Sequence, residues 1–196
     1  MTPKDFIHIW SSTGDKVRPI SPASLSGLGL KPSTKEFLIL SGLPDSAAPM
    51  LSFVDNSTDT YNSIGRLRDR FDLSGNEFEK YIYIGSCSDG DPIVVNTAVD
   101  DQIEWLNHDK DFEPGFFNSS IEAFVECLVI CRDFITRVNR ENGDFAFIDG
   151  NFSDEQLEDF RRNLVKADKH ALCDNSFWKE ELEMYLAMRD QFRKSE

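Results

Sequence analysis

A chain of 196 residues that is 40% hydrophobic, with sixteen Phe and three Trp, has enough apolar surface for one compact core and is too apolar to be a disordered segment. Its 21 basic and 35 acidic residues leave a formal charge of −14 at pH 7, which repels phosphate backbones and anionic lipid and argues against nucleic acid and membrane as direct partners. The same field would steer a basic partner, or would only keep the protein in solution.

In chain order, Met1-Thr2-Pro3-Lys4-Asp5-Phe6 lacks the apolar centre of a signal peptide, and no apolar run nears the ~18 residues that span a bilayer. Residues 1–32 read as a partly irregular lead, most clearly in the Ser-, Pro-, Gly- and Leu-rich stretch 21–32. Ser33 and Glu36 stand at capping-box spacing. They predict a short helix over 34–41, closed by Gly42 in the left-handed conformation, with Leu43 folded back and Pro44 forbidding continuation. Residues 50–54 suit a strand and 56–61 a polar turn, while Leu67, Phe71 and Leu73 leave 64–76 ambiguous. The stretches 80–86 and 92–97 are apolar and β-branched and are joined through Asp89-Gly90, which predicts a hairpin; 101–107 continues the antiparallel sheet.

The clearest helix covers 119–138, where Ile121, Phe124, Val125, Leu128, Cys131, Ile135 and Val138 recur at helical spacing behind a cap at Asn118 or Ser119. A helix over 153–166 opens on a Ser153/Gln156 capping box. The last, over 176–193, has Glu180, Glu181 and Glu183 early and Arg189, Arg193 and Lys194 late, matching the helix dipole, with Trp178, Leu182, Tyr185 and Phe192 inward. The expected class is α+β: a single domain over 1–196, with a central antiparallel sheet flanked by helices and a C-terminal helical tail over 150–196.

The sequence carries no specific motif of reaction chemistry. Cys87, Cys127, Cys131 and Cys173 form no Cys-x-x-Cys pair and no disulfide framework, so they read as reduced, mostly buried thiols of a cytoplasmic protein. The loop from Gly85 to Gly90 has the outer glycines of a phosphate loop but Asp91 and Pro92 where Lys and Ser or Thr are required. From Asp149, the spacing of a calcium loop fails at its sixth and twelfth positions, Asp154 and Phe160. His108-Asp109 is the only His–Asp neighbour pair and suits a turn after a strand. No catalytic residue, metal ligand or cofactor is assigned.

Several phrases in this order form a pattern. Phe37-Leu38-Ile39-Leu40-Ser41-Gly42-Leu43-Pro44 comes first, then Ile84-Gly85 through Asp91-Pro92-Ile93, then His108-Asp109. Asn118-Ser119-Ser120 with Phe124 follows, and then Phe160-Arg161, Ala167-Asp168, Ala171-Leu172 and Ser176-Phe177-Trp178. Together they resemble the SUKH superfamily (the SMI1/KNR4-like fold), and within it the SUKH-4 branch, from about residue 18 to about residue 190. That resemblance implies a cytoplasmic, non-catalytic antidote that binds a cognate toxin domain, often a nuclease or nucleic-acid deaminase. The wider superfamily also contains regulatory and scaffold proteins that bind a host protein, and this alternative stays open.

For a binding surface, Asp100, Asp101, Glu104, Asp109, Asp111 and Glu113 crowd a stretch broken by Trp105, Phe112, Phe116 and Phe117, and Asp89 and Asp91 at the hairpin tip extend it. Acidic groups interleaved with rings suit a basic protein surface. The simpler alternative is that the acids solvate a loop while the aromatics turn inward.

Overall fold

The computed structural model describes residues 1–55, 62–71, 73–87 and 90–195, so the expected turn at 56–61 and Asp89 lie outside the described residues. The chain is α+β. Its seven-stranded sheet comprises β3 (Ser46–Ala47), β4 (Leu51–Phe53), β5 (Gly65–Arg66), β6 (Tyr81–Ser86), β7 (Pro92–Asn96), β8 (Gln102–Asn107) and β9 (Glu113–Asn118). The order is β3-β4-β6-β7-β8-β9, with β5 also pairing β6 and every pairing antiparallel. A separate two-stranded ladder joins β1 (Val17–Arg18) to β2 (Leu43–Pro44).

The N-terminal lead is more ordered than its composition predicts. Helix α1 (Pro3–Ser11) has Thr2 as cap, accepting from the Asp5 amide, and Pro3 in its first turn. Nine residues are too few to hold a helix by propensity, and α1 is fixed instead by burying Phe6 and Trp10, one turn apart, where it packs on α4 (Ile121–Asn142). Helix α2 (Pro32–Leu40) begins at Pro32, so Ser33 falls inside the first turn and caps nothing. Its end is as expected: Gly42 has φ +65, and a Cβ there would lie 1.7 Å from the Arg18 carbonyl oxygen, so only glycine lets β2 pair with β1. The ambiguous stretch resolves into β5 and a single helical turn, α3 (Leu67–Phe71).

Strand β9 has no counterpart among the expected elements. Glu113-Pro114-Gly115 opens it with two residues that strands avoid, but as an edge strand it needs no second row of hydrogen bonds. Beyond it run α4 (Ile121–Asn142), the short α5 (Ala146–Asp149), α6 (Asp154–Ala167) and α7 (Phe177–Ser195). Ser153 and Gln156 make the capping box of α6. The cap of α4 is Ser120, accepting from the Ala123 amide, rather than Asn118 or Ser119.

The core sits between the sheet and α4, where the Phe117 ring stacks on Phe177 at 4.1 Å and meets Phe124 and Trp178 edge-on. Each such fully buried ring contributes about 2–3 kcal/mol. Cys127 and Cys131 face this core, and burial pushes both thiols up to about 12. Among the described residues no helix is long and apolar enough to cross a membrane.

The displaced caps are explained by one buried polar joint. Asp168, after α6, accepts from the Asn118 side chain at 3.1 Å, the Ser119 amide at 2.7 Å, the Ser119 hydroxyl at 2.9 Å and the His170 amide at 3.0 Å. Asn118 Oδ1 in turn accepts from Trp178 Nε1 at 3.0 Å. Three separated segments, the end of β9, the α6–α7 connection and the start of α7, are thereby tied at one point.

Candidate functional site

The run of acidic residues from 100 to 113 does not form one surface. Strands β7 and β8 run in opposite directions, so the β7–β8 turn lies at one end of the sheet, and the β6–β7 tip and the β8–β9 connection lie at the other. Six residues of β8 separate the two ends by roughly 20 Å. Asp100 and Asp101 occupy the first end; Asp91, Asp109, Asp111 and Glu113 occupy the second.

At the first end, Asp100 and Asp101 have φ of 57 and 61, and the Gln102 amide donates to the Val99 carbonyl at 2.9 Å. Two consecutive left-handed residues make a tight hairpin turn, a conformation that Asp tolerates better than most side chains. The Asp101 carboxylate is buried and accepts from the Lys31 amide at 2.7 Å, pinning the turn to the start of α2. Asp100 is exposed and ion-paired with the Lys31 ammonium group. Glu104 is also buried, accepting from Asn96 at 2.8 Å and Gln102 at 2.9 Å. Burial and then this carboxylate raise the Tyr81 phenol above its ordinary value. Asp101 and Glu104 are thus buried, and one oxygen of each carboxylate, Asp101 Oδ2 and Glu104 Oε1, serves an internal contact.

The aromatics of the stretch also turn inward. Phe112 packs on Phe71 and Phe78, Phe116 on His170, and Trp105 lies so flat over Gly115 that a Cβ there would sit 2.2 Å from Trp105 Nε1.

The second end is organised by Asp91. Its Oδ1 accepts from the His108 amide at 2.9 Å and lies 2.6 Å from His108 Nδ1, while His108 Nε2 is 3.4 Å from Asp109. These bonds hold the single 3-10 turn at 108–110 that projects Asp109, and Asp111 and Glu113 are exposed beside it. The start of α7 docks here because the Phe116 amide donates to the Asn175 carbonyl at 2.9 Å and the Asn175 side chain donates to the Pro114 carbonyl at 3.1 Å. Phe177, Glu180 and Glu181 then complete a notch of about 270 Å³ with Pro49, Cys87, Asp91, Trp105 and Asn107. Among the described residues no Lys or Arg lines it.

By sequence alone Glu180 and Glu181 are only early acids of the last helix, suited to its dipole. Nothing local indicates that α7 would set them beside residues 91 and 107. Burial raises Glu180, with help from Glu183 and opposed by Lys110. For Glu181, burial outweighs a hydrogen bond with Tyr185 and pushes the carboxyl from 4.5 up to about 7. Between those values the folded state holds a proton that the unfolded chain has lost, so this group's contribution to stability falls as pH rises through that window. Glu181→Gln is expected to remove that fall. In urea unfolding it should be more stable than the parent at about pH 8 but not at about pH 4; equal differences at both pH values would refute the assignment.

A family model described as SUKH-4 immunity protein matches residues 12–184. No curated protein and no solved structure matches the chain.

Proposed function

The chain belongs to the SUKH-4 immunity protein family, and we propose that it protects by binding a cognate toxin domain, without catalysis, through the acidic end of its sheet. The observation that carries the choice of surface is that Asp91, Glu180 and Glu181, from separate parts of the chain, line one notch, with Asp109, Asp111 and Glu113 on the connection at the same end of the sheet and no Lys or Arg among the described residues that line the notch. Carboxylates in such a concavity attract and orient a basic surface and set the rate of encounter. A toxin domain that grips nucleic acid, a nuclease or a deaminase, presents such a surface over its substrate groove, and covering it would block the substrate. The fit is to a protein and not to nucleic acid itself, whose phosphates these groups repel. His108, wedged between Asp91 and Asp109, orders the turn that presents the acids. The protein would act in the cytoplasm, where its cysteines stay reduced.

Growth rescue tests this reading. The toxin C-terminal domain encoded immediately upstream would be expressed in a neutral host with and without this protein. Killing by the domain alone and normal growth with both is the expected result. A domain that kills regardless of the protein would refute the pairing.

A further inference from the structure

We infer that Met50, in the β3–β4 connection, is the apolar anchor of the acidic end: it enters an apolar recess rimmed by Lys or Arg on the toxin domain and sets the rate at which the complex comes apart. This assignment rests on the toxin-binding reading of the acidic end and adds the side chain that holds the partner once the acids have steered it in. The sheet register places Met50 there. Ser52 and Phe53 of β4 pair with Ser86 and Gly85 of β6. The connection 48–50 that precedes β4 therefore lies level with the β6–β7 tip, at the end of the sheet away from the β7–β8 turn. Pro49 is itself a wall of the notch that Asp91, Glu180 and Glu181 line.

At 78% exposed, Met50 is the most exposed large apolar side chain among the described residues. It also has φ of 64, in the left-handed region that disfavours a side chain of this size. The position thus carries a backbone cost and buries little within the chain in return, a combination that points outward to a partner. The display is rigid. Only residues 48–50 lie between the paired Ala47 and Leu51, and Leu51 is buried in the core. At the base of the hairpin the Phe53 amide donates to the Asp45 carbonyl at 3.2 Å, and Arg18 holds the Asp45 carboxylate at 2.6 and 2.8 Å. Gly85 lets β4 close on β6, because a Cβ there would come within 2.4 Å of the Ser52 carbonyl oxygen.

Charge decides what covers this side chain. Asp91, Asp109 and Glu180 at the same end repel a second copy of this −14 chain and attract a cationic surface. Exposed carboxylates act mainly on encounter, and a lasting contact needs a desolvated apolar centre inside its polar rim. Met50 supplies that centre. An unbranched thioether fits an irregular recess and packs against the aliphatic stems of the Lys and Arg that rim it.

Association and dissociation kinetics with the toxin domain encoded immediately upstream test the anchor. Met50→Ala should raise the dissociation rate at least ~10-fold and leave the association rate within about twofold, and its affinity relative to the parent should stay constant as salt rises. Met50→Gly suits the left-handed backbone, so it should lose as much binding while its urea midpoint is no lower than the parent's. A loss of binding that followed a lowered midpoint would make Met50 a structural residue and overturn the anchor. A parent that binds, with Met50→Ala leaving at the parent's rate, would overturn the anchor alone. A parent that does not bind the domain would overturn the toxin-binding reading and the anchor together.

Discussion

Asp168→Ala is expected to cost about 3 kcal/mol, because it takes the shared acceptor from the buried Asn118 side chain and from the part-buried Ser119 and His170 amides at once. At roughly 2–4 °C per kcal/mol for a chain this size, the melting temperature should fall by about 6–12 °C. The pH dependence separates this loss from simple cavity formation. Burial alone would raise the Asp168 carboxyl, but hydrogen bonds from the Ser119 and His170 amides and from the Asn118 and Ser119 side chains outweigh it and hold the carboxyl below its ordinary value. A carboxylate with a lowered folded value stabilises fully above its unfolded value, about 3.9, and loses that contribution as pH falls through the folded one. The stability gap between the parent and Asp168→Asn should therefore be widest near neutrality and shrink below about pH 4. A gap under about 1 kcal/mol, or one that does not change with pH, would remove Asp168 as the anchor.

This joint explains why Asn118-Ser119, Ala167-Asp168 and Ser176-Phe177-Trp178 occur together as a pattern. Each phrase is unremarkable alone, and in the fold Asn118, Ser119, Asp168 and Trp178 lie within one hydrogen-bonded cluster. The sequence signal marks architecture and not a contact surface. Elements with strong local periods, such as the hairpin of β6 and β7 and the helices α4, α6 and α7, were legible because period and capping are properties of neighbouring residues. Helix α1 was not, since its nine residues are held by burial of Phe6 and Trp10 against a helix more than a hundred residues later. Strand β9 was obscured by Pro114 and Gly115, the latter required so that Trp105 can lie over it.

The candidate site was half legible, for a topological reason. Residues 100 to 113 carry a dense run of carboxylates, but a strand through the middle of that run sends its halves to opposite ends of the sheet. Strand alternation then turns Glu104 inward toward Asn96, and the left-handed turn gives Asp101 to Lys31. Glu180 and Glu181 replace them at the acidic end by a juxtaposition that only tertiary packing creates.

That division gives a sharp expectation for toxin binding. Asp109→Lys/Glu180→Lys, both exposed at the acidic end, should slow association with the cognate toxin domain by about 10- to 100-fold at low salt. Asp100→Lys, the same charge change per substitution at the opposite end of β8, should leave the rate within about twofold, because ~20 Å exceeds the Debye length of ~10 Å at 0.1 M salt. Dissociation should change little in either variant, since rim charges act mainly on encounter, and added salt should bring the three association rates together. Stopped-flow association across a salt series reads all of this directly. If Asp100→Lys slowed binding as much as the double variant, the toxin would be reading the total charge of −14 rather than a surface, and the notch beside Glu180 would lose its assignment. If only the double variant slowed, the contact would be fixed to the end of the sheet where α7 begins.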